Sequence, residues 1–199
     1  LLKQIKDYSL KFIIFFLFCI VLLQADNVNG WTPLHQAIYD CNETAVKQLI
    51  NTDKGLDVAS KAGIAPLHLA VKMRQKRTVE LLLAHKAALD AQDNNGLTPL
   101  HYAIGQNQEE IARYLIVKGA DMDQQNSQGI TPLHQAAYSG NAKLVQFMVD
   151  SGAEVDSLNN DGTTACQIAL AKKNFETVSV LLPYTKMPCA IQGVETKGK

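Results

Sequence analysis

A chain of 199 residues, 47% hydrophobic and 19% charged, has enough apolar content for a buried core, which excludes a disordered chain. Its basic and acidic side chains balance to a formal net charge of zero, so it has no basic footprint for a phosphate backbone, and nucleic acid is not expected as a partner. The four cysteines (Cys19, Cys41, Cys166, Cys189) include no CxxC pair and no regular spacing, which points to neither a zinc knuckle nor a disulfide framework.

In chain order the first element is an apolar run. Lys3, Lys6 and Lys11 lead into the uncharged stretch Phe12–Leu23, followed by Gln24, Ala25 and Asp26. A basic lead, an apolar stretch and a small residue are the order of a secretory signal peptide, predicted over residues 1–25 with cleavage after Ala25. The run is shorter than the ~20 residues a bilayer span needs. Leu23 stands where such a cut usually has a small residue. An uncleaved N-terminal membrane anchor and a buried helix of an earlier repeat are the competing readings. The second of these would place Ile20 to Leu23 in an exposed turn, where bulky apolar residues fit poorly. Removal of residues 1–25 would leave a net charge of −2, too close to neutral to name a partner class.

From Gly30 onward the chain keeps a period of 33 residues. Gly30, Gly63, Gly96, Gly129 and Gly162 mark it. After them come Trp-Thr-Pro-Leu-His (31–35), Ile-Ala-Pro-Leu-His (64–68), Leu-Thr-Pro-Leu-His (97–101), Ile-Thr-Pro-Leu-His (130–134) and the altered Thr-Thr-Ala-Cys-Gln (163–167). Pro33, Pro66, Pro99 and Pro132 suit the first turn of a helix, where a missing N–H costs nothing. Thr32, Thr98 and Thr131 stand before them at the N-cap position. Sets such as Leu100, Ala103 and Ile104 then form one apolar helical face. A second stripe comes later in each unit, from Val46/Leu49/Ile50 to Val178/Leu181/Leu182. Asp57, Asp90, Asp123 and Asp156 recur in the polar stretch between units and are expected to fix its turn through side-chain-to-backbone bonds.

This pattern resembles the ankyrin repeat family across residues 30–182, with repeats starting near 30, 63, 96, 129 and 162. The resemblance implies an all-α solenoid of stacked antiparallel helix pairs with projecting β-hairpin loops. Cys41, Arg74 and Asn107 stand where the family usually has glycine after the first helix, and Lys86 replaces the glycine after the second helix of repeat two. Looser local turns are expected there. The fifth unit, with Lys172, Lys173, Asn174 and a stop at Pro183, reads as a C-terminal cap, and residues 183–199 as a loose tail.

No constellation points to catalysis, and no cofactor or metal is expected. Four of the five histidines (His35, His68, His101, His134) belong to the repeated motif. They read as imidazoles bonded to neighbouring threonines and backbone, since helices ~8–10 Å apart hold them too far apart to share a metal at ~2 Å. His85 reads as a surface residue. Cys166 takes a core leucine position and behaves as a small hydrophobe; Cys189 reaches it only if the tail folds back. Asn42-Glu43-Thr44 is a sequon that matters only in a eukaryotic secretory pathway.

The family resemblance places partner binding on the concave face made by the loop tips and the exposed side of the first helices. Mapped onto this register, the partner-binding residues are Trp31, Tyr39, Asp40, Lys72, Met73, Gln106, Tyr138 and Ser139. Lys61, Ile64, Asn94, Leu97, Gln128 and Ile130 lie beside them, with Trp31 and Ile130 equally read as covers for the base of a loop. The expected function is a non-catalytic protein-interaction module, monomeric and exported to the periplasm of a bacterium or secreted. An accessory or fragment of a larger toxin or enzyme and a membrane-tethered scaffold are the alternatives.

Overall fold

A computed structural model describes residues 29–51 and 55–189. The leader predicted over residues 1–25, Cys19 and the tail beyond Cys189 lie outside the described residues. Among the described residues ten helices pair in five repeats: α1 (Pro33–Tyr39) with α2 (Glu43–Ile50), α3 (Pro66–Lys72) with α4 (Lys76–Ala84), α5 (Pro99–Gly105) with α6 (Glu109–Val117), α7 (Pro132–Ser139) with α8 (Ala142–Asp150), and α9 (Ala165–Ala171) with α10 (Phe175–Leu181). Each first helix packs on the next first helix and on its own second helix. The expected β-hairpins carry no assigned strand among the described residues; the loops are hydrogen-bonded turns.

Local chemistry starts each repeat. Thr32, Thr98, Thr131 and also Thr164 adopt extended backbone and accept the N–H three residues on, as an N-cap does. Ala65 has no hydroxyl to do so. Ala70, Ala103, Ala136 and Ala169 are fully buried, small enough for neighbouring helices to close in. One core runs the length of the stack, because no single helix pair can bury its own faces.

Two sets of polar side chains organise the loops, and they divide the work differently from the sequence-based expectation. Ser60, Asp93, Asn126 and Asn159 fix the turns. Asp93 Oδ1 accepts the N–H of Asn95 and Leu97 at 2.8 and 2.9 Å, and Asn126 Oδ1 those of Gln128 and Ile130 at 2.9 and 3.0 Å. Asp57, Asp90 and Asp123 instead reach into the following repeat, accepting the N–H of Ala88, Asp121 and Glu154 at 2.7–2.9 Å. Their period reflects the junction between repeats, not the turn. Successive loop tips are also joined by backbone bonds: Lys61 to Asn29, Asn94 to Ala62, Ser127 to Asn95 and Asn160 to Gln128.

The substituted turns keep their shape. Cys41, Arg74, Asn107 and Lys173 have φ of 54–61°, and Lys86 has φ of 66°, the left-handed region that Gly140, Gly119 and Gly152 occupy at the matching positions in other repeats. The turns are therefore strained, not loosened: tertiary packing holds side chains where glycine is preferred.

At the far end residues 184–189 depart from the reading of a loose tail; the rest of it lies outside the described residues. Cys189 is disulfide-bonded to Cys166, so the tail does fold back, and Cys166 is a crosslink as well as a buried apolar residue. Asp156 binds Thr185 Oγ1 and accepts the Lys186 N–H at 2.8 Å. Pairing was invisible in the cysteine spacing because the bond depends on where the chain goes after Pro183. The fifth repeat is also less polar than a cap should be. Phe175 is 65% and Leu182 55% exposed, because no further repeat among the described residues covers the positions that Ala142 and Val149 occupy, buried, in repeat four.

Candidate binding face

The histidines are structural linkers. In repeats one to four, Nδ1 receives a backbone N–H from Thr32, Ala65, Thr98 or Thr131 at 3.1–3.2 Å. Nε2 lies 2.8–3.0 Å from the carbonyl oxygens of Ile64, Leu97, Ile130 and Thr163 in the next repeat. A carbonyl only accepts, so Nε2 carries the proton and the neutral form is required. Burial accordingly pushes the pKa of each below the usual histidine value, against the carbonyl bond that raises it. His85 is exposed, with Nδ1 2.9 Å from the Leu81 carbonyl. No group of three or more metal-ligating side chains converges among the described residues.

Asp93 distinguishes the third repeat. Its Oδ2 accepts the Tyr102 hydroxyl at 2.8 Å, and the Tyr102 ring meets His68 edge-on at 5.4 Å between centroids. Burial, then the Asp93 carboxylate, raises the Tyr102 pKa. The cluster is internally satisfied: Asp93 uses one oxygen for its turn and the other for Tyr102.

Two adjoining grooves open on the side of the loops and first helices. One, of about 500 Å³, is lined by Asn95, Leu97, Asn126, Ser127, Gln128, Ile130, His134, Gln135, Tyr138 and Ile168. The second, of about 420 Å³, continues past Tyr138 along Thr163, Gln167, Ile168 and Lys172. The loops supply carboxamides, the helices apolar side chains, and the first groove has no formally charged residue. Gln135 Oε1 is buried without a hydrogen-bond partner among the described residues. Charged pairs sit instead on the second helices, as in Glu43 with Lys47 and Arg77, and Glu109 with Arg113.

The residues mapped from sequence are spread over the first four repeats. Trp31 and Tyr39 pair at 5.1 Å between ring centroids at the first repeat, and Trp31 also stacks on His35. Asp40 beside them accepts from Gln36 at 2.9 Å. Lys72 is exposed, whereas Met73 is half-buried against the core. The Gln106 side-chain oxygen is taken by Gln108 at 2.6 Å, and its carbonyl by Arg74 at 2.8 Å. Ser139 Oγ donates to the Ala136 carbonyl. Tyr138 stands between the two grooves, 58% exposed, with the Lys172 ammonium 4.1 Å from its ring centroid.

Sequence mapping passed over Gln135, Ile168 and Lys172. Their signal was present: Gln135 and Ile168 occupy the same register position one repeat apart, on the helix face that carries Tyr138. Repeat five went unmapped because it read only as a cap.

Stacked helix pairs tied by a periodic hydrogen-bond ladder, with one amide-lined face left open, define a helical repeat solenoid. The family profile described as ankyrin repeats (3 copies) matches residues 41–126 and 116–191. The chain belongs to the ankyrin repeat family. Such repeats are generally protein–protein interaction modules and typically non-catalytic. Among curated proteins no relative matches.

Proposed function

We propose that this chain is a non-catalytic binding module, exported across a membrane, that holds a partner protein on the face built by its loops and first helices. The observation that carries the reading is Tyr138, an exposed ring shared by two continuous grooves; exposed aromatic side chains beside desolvated pockets are the usual anchors of interfaces. Trp31, Tyr39, Asp40, Lys72, Met73, Gln106 and Ser139 extend the face toward the first repeat. The uncharged lining of the larger groove favours a partner segment without charge at its centre, since burying an unpaired charge there is costly.

Export is supported by two features. The basic–apolar–small order of residues 1–25 is that of a signal peptide. The Cys166–Cys189 bond belongs to an oxidising compartment such as the periplasm or the cell exterior.

Crosslinking pull-down with the full chain tests the binding face. Tyr138→Ala is expected to cut capture of the specific partner at least ~10-fold, and Tyr39→Ala to cut it less. Unchanged capture by both variants refutes the assignment. N-terminal sequencing of the mature protein tests export: a start at Asp26 is expected, and a retained Phe12–Leu23 stretch overturns cleavage.

A further inference from the structure

The junctions between repeats share two polar bonds. The histidine at the end of the motif bonds through Nε2 to a carbonyl 29 residues on, in all four of its occurrences. The recurring aspartate accepts an N–H 31 residues on, in three. Gln167 of repeat five and Asp156 of repeat four stand at these register positions. Gln167 Oε1 accepts the Thr164 N–H at 3.0 Å, as the imidazole nitrogen does elsewhere, and its Nε2 donates to the Pro188 carbonyl at 3.2 Å, only 21 residues on. Asp156 accepts the Lys186 N–H, 30 residues on. Residues 184–189 thus form the closing loop of repeat five: they take the Asp156 bond due to that loop, and also the Gln167 bond that elsewhere goes to the following repeat, and the disulfide pins them at Cys166.

The other side-chain bonds of this segment are polar and mostly exposed to solvent: Thr185 Oγ1 to Asp156, a turn between Thr185 and Met187, and Gln146 Nε2 at 3.5 Å from the Tyr184 hydroxyl. Pro183, Lys186 and Pro188 are exposed, as are Tyr184 at 48% and Met187 at 38%. A segment with so few buried apolar contacts opens at small local cost unless something covalent restrains it. We propose that the Cys166–Cys189 disulfide is a redox-sensitive latch, holding residues 184–189, the closing loop of repeat five, against α9 (Ala165–Ala171).

The chemistry needs a dithiol reductant. Cys166 is fully buried and Cys189 half-buried, so the attacking thiolate approaches the Cys189 sulfur. A new S–S bond forms there, the Cys166–Cys189 bond breaks, and the Cys166 sulfur leaves and takes a proton. The second thiolate of the reductant then displaces Cys189, yielding two cysteine thiols and an oxidised reductant, two electrons in all. Opening breaks the bond from Gln167, which lines the second groove, to the Pro188 carbonyl, and those from Thr185 and Lys186 to the Asp156 carboxylate. The recognition face gains an open edge at its C-terminal end. That consequence rests on the binding-face reading; the latch does not.

Hydrogen exchange by mass spectrometry on the full chain tests the latch, comparing oxidised protein, protein treated with dithiothreitol, and Cys189→Ser. Exchange at Lys186 and its neighbours is expected to be at least ~10-fold faster in both opened forms, with α5 (Pro99–Gly105) unchanged as the internal standard. Alkylation without reductant is expected to label two fewer thiols than after reduction. Three results each overturn the proposal: unchanged exchange at Lys186 in both opened forms, alkylation of Cys166 and Cys189 before reduction, or loss of α5 protection in both. If the latch opens as expected while Tyr138→Ala leaves partner capture unchanged, the binding-face reading fails and the latch stands.

Discussion

Protonating His101 would place a second N–H against the Thr98 N–H, a donor facing a donor, at the centre of a junction between repeats. The same holds for His35, His68 and His134, and burial lowers the pKa of all four. Their folded pKa lies below the unfolded value of about 6.5, so the unfolded chain binds more protons between the two. Stability is fully present above about pH 6.5 and is lost as pH falls through that window. Gln167 shows how to remove this dependence, since its amide makes both bonds without titrating. His101→Gln is expected to fold and to lower the proton uptake on acid unfolding by about one. Chemical denaturation followed between pH 7.5 and 5 checks this, and an unaltered pH slope refutes it. The structural role of the histidines was legible in sequence, because a residue at every period is in register with the fold. The role of Ser60, Asp93, Asn126 and Asn159 was not: serine, aspartate and asparagine share a hydrogen-bonding geometry but no common letter.

Turns at the ends of helices make the next difference. Lys86 holds φ at 66° where glycine serves in repeats three and four. Lys86→Gly is expected to raise stability by about 1 kcal/mol by relieving a left-handed conformation, read as a higher denaturation midpoint. Gly63 is the opposite case. With φ at 77°, a Cβ there would sit 2.5 Å from the Asn94 nitrogen and side-chain oxygen. Gly63→Ala is expected to cost about 2 kcal/mol or more, from strain plus the loosened contact between neighbouring loops; a loss below 0.5 kcal/mol on the same ~1 kcal/mol scale of turn effects would show that the loops separate freely. Helix starts were readable from Thr-Pro, since capping and proline act within a few residues. Strain at Lys86 was not, because it arises from packing imposed by both neighbouring repeats.

Along the whole solenoid, stability is a sum of units and junctions, so the ends report separately. The disulfide closes a loop spanning 23 residues of sequence, worth about 3 kcal/mol by loop-closure entropy. Cys189→Ser is therefore expected to lower the stability of the fifth repeat by up to that amount and to leave the first repeat unaffected. Trp31, the single tryptophan, reports the first repeat by fluorescence, while circular dichroism reports the helices of every repeat. An early loss of helical signal with an unmoved Trp31 transition is the expected outcome; coincident, shifted transitions would show that the solenoid unfolds as one unit. Repeat number, register, helix positions and the buried histidine column could all be read from the order of residues, because each rests on contacts that recur every 33 positions. Three features came only with the folded chain: the reach of Asp57, Asp90 and Asp123 into the next repeat, the pairing of Cys166 with Cys189, and the grooves around Tyr138. Each depends on groups from separate repeats, or on a tail outside the period, and the distance between such groups is set by packing.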